Sequence, residues 1–299
     1  MENKQRNPFA SRDRKPKITA KHPKRQEKPR LNKKHESSTK RVTDEVVSGT
    51  GERIQKVLSR GGLGSRREIE RWIDEGRLKI NGVLAMHGAH LKAGDYLQLN
   101  ERVVHWDKFA QQATRVLIYH KPTGEIVTRH DPQGRPTVFA QMPKLDTARW
   151  ISVGRLDVNT SGLLLLTNNG DLANKLMHPS TEVEREYAVR ILGEVSDEKL
   201  ELLKKGVPLE DGEAKFDQIY FMGGEGVNKW YHVVVSEGRN RLVRRLWEAQ
   251  NVVVSRLIRV RYGPIVLPEK LRTQKFYELT AKELELLFEF AGLPAEKIN

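Results

Sequence analysis

Trp150-Ile151-Ser152-Val153-Gly154-Arg155-Leu156-Asp157-Val158-Asn159-Thr160-Ser161-Gly162-Leu163-Leu164-Leu165-Leu166-Thr167 reads as two strands joined by a polar loop. The first four residues lead into a loop centred on Asp157. Residues 163–167 form a fully apolar strand, closed by an Asn168-Asn169-Gly170 turn. Outward from this pair, both element types recur. Val116-Leu117-Ile118-Tyr119 is strand-like and stops at Lys121-Pro122-Thr123-Gly124, and residues 230–235 form another strand. Ser196 caps a helix carrying Leu200 and Leu203 that stops at Gly206. Thr280 and Glu283 form a capping box ahead of Leu284, Leu287 and Phe288. The mixture predicts an α+β domain over residues 113–291 around a central mixed, largely antiparallel sheet, with a short tail at 292–299.

Upstream, the pattern changes. Ile54, Val57 and Leu58 mark one helical face, and Gly61-Gly62-Leu63-Gly64 breaks that helix. Ser65 with Glu68 is a second capping box, and Ile69, Trp72 and Ile73 supply the apolar face that follows. Leu78-Lys79-Ile80 and Val83-Leu84 flank Asn81-Gly82 as a short hairpin, and a further strand ends at Leu99. Residues 51–112 therefore form a small module that ends in a polar link from about 100 to 113. Lys56 with Arg60 and Arg67 with Arg71 are four apart, so each pair shares a helix face. With Arg53 and Arg66 they predict one basic, RNA-binding surface; a solvated amphipathic helix pair is the plainer alternative.

Charge is unevenly distributed. Residues 1–50 carry 15 Lys/Arg against 6 Asp/Glu, so +9 of the formal +14 sits in this segment. The segment is poor in apolar residues and is expected to be a disordered basic tail that touches phosphates non-specifically. A polyanion, most simply nucleic acid, is the expected partner. The chain has no cysteine, which excludes disulfides, thiolate metal sites and cysteine nucleophiles, and fits a cytoplasmic location. No apolar run approaches the roughly 18 residues of a membrane span.

Several sites are considered and set aside. Asp157-Val-Asn159-Thr-Ser161-Gly162 imitates the opening of a calcium loop, but its twelfth position is Asn168 where that loop needs a bidentate Glu. None of the nine histidines stands in a zinc-ligand spacing, and no nucleotide-binding glycine motif is complete. No metal and no cofactor is expected.

The chemistry concentrates in Gly154-Arg155-Leu156-Asp157, Arg185-Glu186-Tyr187 and Gly238-Arg239-Asn240-Arg241-Leu242-Val243-Arg244-Arg245. Taken singly, each has a plain reading: a turn aspartate, a half-buried strand tyrosine, a surface arginine. With Lys121-Pro122-Thr123-Gly124 ahead of them, they resemble in order the motifs of pseudouridine synthases of the RsuA/RluB/RluE/RluF group. Residues 53–99, with Gly64-Ser65-Arg66-Arg67 and Ile80-Asn81-Gly82, resemble an S4 RNA-binding domain. The likeness runs from residue 53 to about 290, and residues 154–180 and 237–263 look most like the member acting on bacterial 23S rRNA.

The resemblance implies site-specific isomerisation of uridine to pseudouridine in large-subunit rRNA or an assembly intermediate of it. It needs no small-molecule cofactor or membrane, and a monomer is expected. Asp157 matches the catalytic aspartate, Tyr187 the tyrosine that stacks on the base, Arg244 the basic residue that pairs with the aspartate, and Arg155 an arginine that engages the displaced nucleotide. Leu242 departs from the pattern, because many relatives carry Gln or Glu there. Arg239, Arg241 and Arg245, with Arg256, Arg259 and Arg261, are expected to grip phosphates. The alternative in another class is a non-catalytic RNA-binding or ribosome-assembly factor.

Overall fold

Four leucines in a row need two apolar faces to be buried, and the fold supplies both. In this computed structural model, which describes residues 51–109 and 112–294, Leu163 to Leu166 are each 0% exposed. Leu164 and Leu166 enter a core with Leu117, Tyr119, Val189, Val233 and Trp247. Leu163 and Leu165 enter a second core on the other side of the sheet, with Ile118, Leu172, Leu287 and Phe288. Each buried leucine contributes about 2 kcal/mol, so this strand is the keel of the domain. The basic tail expected at 1–50 and the last residues of the expected C-terminal tail lie outside the described residues.

The first module contains β1 (Glu52–Arg53), α1 (Ile54–Arg60), α2 (Arg66–Asp74), β2 (Leu78–Ile80), β3 (Val83–Leu84), β4 (His90–Leu91), β5 (Leu97–Leu99) and β6 (Arg102–Val104). Both capping atoms of the Ser65–Glu68 box are engaged. Asn81 and Gly82 have positive φ, as a two-residue hairpin turn requires. Strands run in the order β3-β2-β5-β6, all antiparallel, and β1 pairs with β4. The polar link expected at 100–113 is partly structured. Asn100 and Glu101 form the β5–β6 turn with positive φ, and Phe109 packs into the module's core. Polar turn residues there hide β6 from a reading based on apolar runs.

The larger module contains β7 (Val116–Lys121), β8 (Ile151–Ser152), β9 (Ser161–Thr167), α3 (Gly170–Met177), β10 (Arg185–Leu192), α4 (Asp197–Lys205), β11 (Val207–Leu209), β12 (Gly212–Ala214), β13 (Gln218–Glu225), β14 (Asn228–Val235), α5 (Leu242–Glu248), β15 (Val253–Tyr262), β16 (Ile265–Val266), β17 (Phe276–Glu278) and α6 (Ala281–Phe290). Its nine-stranded sheet runs β13-β14-β10-β15-β9-β7-β17, with β16 on β15 and β8 on β9. Among the described strands only β9 and β15 pair in parallel, so the sheet is mixed and largely antiparallel. The turn read at residues 168–170 opens a helix instead. Asn169 Oδ1 accepts from the amides of Asp171 and Leu172, both at 3.0 Å, and so caps α3.

Candidate active site

The loop between β8 and β9 is held from below by Lys121. This side chain is fully buried at the end of β7. Its Nζ donates to the carbonyls of Pro122 at 2.9 Å, Asp157 at 3.1 Å and Thr160 at 2.9 Å. Burial pulls its pKa down to about 8, against the opposing charges of Glu125 and Asp157. Two backbone bonds tighten the loop, from Gly124 N to Val158 O at 2.8 Å and from Thr160 N to Asp157 O at 3.0 Å. Gly154 enters it at φ +75°, a conformation that strains other residues.

Above the loop lies a cavity of about 500 Å³, inside the usual range for small-molecule sites. Asp157, Arg155 and Tyr187 all line it, together with segment 237–243 and with Leu257, Arg259 and Tyr262. Among the described residues the Asp157 carboxylate takes part in no hydrogen bond or ion pair. Glu237, the other acid of the wall, is tied to Arg239 at 2.6 Å. Tyr187 is 9% exposed and presents its ring from β10, while Arg155 is exposed at the mouth.

Arg244 lies at the edge of this site in α5, buried, but not paired as expected. Its Nη1 donates to Val254 O and its Nη2 to Asn159 O, both at 2.9 Å, and no ion pair with Asp157 forms. The reason is the loop itself, which turns the Asn159 carbonyl toward the guanidinium. Burial and then the Arg241 charge lower the Arg244 pKa, while Asp157 and Glu248 oppose that shift. Arg244 thus fastens the loop that carries Asp157 to β15. Leu242 is 4% exposed and packs in the core beneath the cavity, so an apolar residue suits that position.

The expected RNA-binding residues divide into two sets. Arg53, Arg66, Arg67 and Arg71 are exposed, without an ion pair among the described residues. Lys56 and Arg60 do not share that free surface. Both bind Glu52, Arg60 through two hydrogen bonds, and Lys56 also reaches Asp171 at 2.7 Å, joining the two modules. The cluster at 239–245 is also partly engaged. Arg245 makes a two-pronged contact with Asp211 at 2.7 and 2.9 Å, and Arg239 joins the same carboxylate at 3.2 Å. Arg241 pairs with Glu248 at the surface. Spacing reveals that such side chains share a face but not which acid from another element meets them.

Lys121 stands in the motif Lys121-Pro122-Thr123-Gly124, whose spacing assigns it no task. A lysine at the end of a largely apolar strand is the sequence signal that marks it. Among the described residues no group of three His, Asp or Glu could hold a metal ion, and no helix is long and apolar enough to cross a membrane.

Residues 52–95 match the S4 domain family and residues 115–249 the RNA pseudouridylate synthase family. Ribosomal large subunit pseudouridine synthase B of Escherichia coli (strain K12) is 56% identical over 247 residues, covering 82% of this chain and 85% of that protein. The chain belongs to the pseudouridine synthases. The synthase of the same name from Pseudomonas aeruginosa is 54% identical over 244 residues, covering 81% of this chain but only 63% of that longer protein. A crystal structure of a pseudouridylate synthase, 24% identical, superposes with a TM-score of 0.55 over 79% of this synthase and all of that chain, a likeness of fold.

Proposed function

We propose that this synthase isomerises uridine to pseudouridine at a defined site of large-subunit ribosomal RNA or its assembly intermediate, as a monomer in the cytoplasm, with Asp157 as the catalytic carboxylate. One observation carries the assignment of Asp157. It is the one acid of the cavity wall without an ion-pair or hydrogen-bond partner among the described residues, and it sits on a loop fixed by Lys121 and Arg244. The relatives' names supply the RNA class.

The reaction breaks C1′–N1, turns the uracil and joins C5 to C1′; C5 loses a proton and N1 gains one. Ordinary glycoside hydrolysis uses two carboxylates, one of them to protonate the leaving group. Uracil leaves as a stabilised anion and then returns as the attacking group, so a single carboxylate acting on the ribose is sufficient. Tyr187 supplies the flat surface on which a flipped base rests. Arg155 at the mouth meets the displaced nucleotide, and Arg53, Arg66, Arg67 and Arg71 contact the RNA backbone from the first module. Arg241 with Arg239 and Arg245 adds positive charge at the rim.

Tritium release from RNA labelled at uridine C5 tests this reading. Release from a large-subunit fragment and none from small-subunit RNA is expected. No release from any large-subunit fragment would overturn it.

A further inference from the structure

A buried arginine ordinarily needs an acid or a full set of acceptors, because an uncompensated charge in the interior costs several kcal/mol. Arg259 has neither. It is 2% exposed in the middle of β15, and no carboxylate lies within ion-pair distance among the described residues. Its Nε donates to Leu163 O at 2.8 Å, its Cζ lies 5.0 Å from the centroid of Tyr262, and its Nη2 has no hydrogen-bond partner among the described residues. This side chain also lines the cavity that holds Asp157.

Its place in the sheet makes that deficit informative. Arg259 is the cross-strand partner of Tyr187 on one side and of Gly162, where the Asp157 loop ends, on the other. The two backbones meet so closely at Gly162 that a Cβ there would lie 2.3 Å from Arg259 O. The other arginines of the wall differ. Arg185 Nη1 serves the carbonyls of Val183 and Ser236, Arg239 has two acids, Arg241 has one, and Arg155 is in solvent. Arg256 on the same strand is exposed and Arg261 is paired with Glu184 and Glu186. The wall beside Tyr187 is buried, so it suits a flat, weakly hydrated base better than a phosphate.

We propose that Arg259 is a further catalytic residue, whose guanidinium bonds the uracil ring and takes up the negative charge that the ring acquires when C1′–N1 breaks. This rests on the isomerase reading above. The electron pair of the broken bond moves onto N1 and the ring carbonyl oxygens, where Arg259 stabilises it. The same ring then bonds C1′ through C5, the C5 proton is lost and N1 is protonated, so no other reactant is consumed. A charge donor fixed in place before the reaction acts most strongly in a site closed to water.

The test is single-turnover tritium release with saturating RNA, run on wild type, Arg259→Gln and Arg259→Lys, with melting curves and RNA affinity at several salt concentrations. Arg259→Gln is expected to slow the turnover about 10²–10³-fold, with affinity and salt slope within twofold of wild type. Arg259→Lys, which keeps the charge but not the fork, is expected to lie between. In RNA carrying 5-fluorouridine, a better leaving ring, the Gln variant's deficit in consuming the target nucleotide should shrink at least about tenfold. A shallower salt slope with weaker binding would make Arg259 a phosphate ligand and overturn the proposal. Unfolding of both variants, or a normal rate per folded molecule, would make it a structural strut and overturn it equally. An inactive wild type would instead be the failure of the isomerase reading.

Discussion

Replacing Lys121 with methionine keeps an unbranched apolar stem one atom shorter and removes the charge and all three donors. The carbonyls of Pro122 and Thr160 then lose the Nζ bond, while Asp157 O keeps the amide of Thr160. An unmade hydrogen bond to a buried group costs about 1–3 kcal/mol. Removing the ammonium also relieves a desolvation cost, visible in its pKa of about 8. The net expected loss is about 2–4 kcal/mol, read as a lower urea midpoint at unchanged slope. Because the lost bonds held the Asp157 loop, turnover of the folded variant should fall about 10²-fold, the cost of a catalytic group displaced by about 1 Å.

The pH dependence has a fixed sign. The folded pKa lies below the unfolded value of 10.5, so between about 8 and 10.5 the unfolded chain binds more protons. The contribution of Lys121 to stability therefore rises with pH across that window, and Lys121→Met loses this rise. A variant within about 0.5 kcal/mol of wild type that turns over at more than half its rate would refute the clamp; surface substitutions typically stay within that margin.

Three other outcomes are expected. Gly162→Ala places a Cβ 2.3 Å from Arg259 O at φ +105°, so it should cost about 3 kcal/mol or more in calorimetry; an unchanged melting temperature would show that the β9–β15 contact is loose. Asp211→Asn releases Arg245 from its acid partner, while Arg239 keeps Glu237, and should tighten RNA binding in anisotropy titrations, with a log–log salt slope steeper by about 0.9 per phosphate gained. An identical slope would mean that Arg245 does not reach the RNA. Glu186 is held below the usual carboxylate range by its hydrogen bond to His232 and then by Arg261, so the stability it provides exists above about 4.5 and is lost as pH falls. Glu186→Gln should flatten that acid limb and cost about 1 kcal/mol near neutrality; an acid limb as steep as wild type would assign the loss to other carboxylates.

Much of the architecture was legible because the relevant signals are local. Ser65 with Glu68 and Thr280 with Glu283 cap helices in the positions their spacing predicts, and the unbroken run at 163–167 lies in a strand buried on both faces. Local readings failed where one signal serves two structures. Asn168-Asn169-Gly170 suits both a turn and a helix start, and the following Asp171 and Leu172 amides decide the matter. The site was legible as a set of motifs, since Asp157, Arg155 and Tyr187 do meet at one cavity. What pairs with what was not. Glu52, Asp171 and Asp211 come from other elements to hold Lys56, Arg60, Arg239 and Arg245, and the Asn159 carbonyl takes the place expected for the Asp157 carboxylate on Arg244. Arg259 stands in the sequence as one phosphate-facing arginine among several; burial separates it from exposed Arg256, and the lack of an acid partner among the described residues separates it from Arg261.

The central claim is that the Asp157 carboxylate performs the chemistry. Single-turnover tritium release from a large-subunit RNA fragment, compared between wild type and Asp157→Asn, tests it most directly. Asn keeps the shape and removes the charge, so the rate should fall at least about 10³-fold, some 4 kcal/mol of transition-state stabilisation, with RNA affinity within about threefold and an unchanged melting temperature. Release within tenfold of wild type, or a loss of rate matched by an equal loss of binding, would contradict the account.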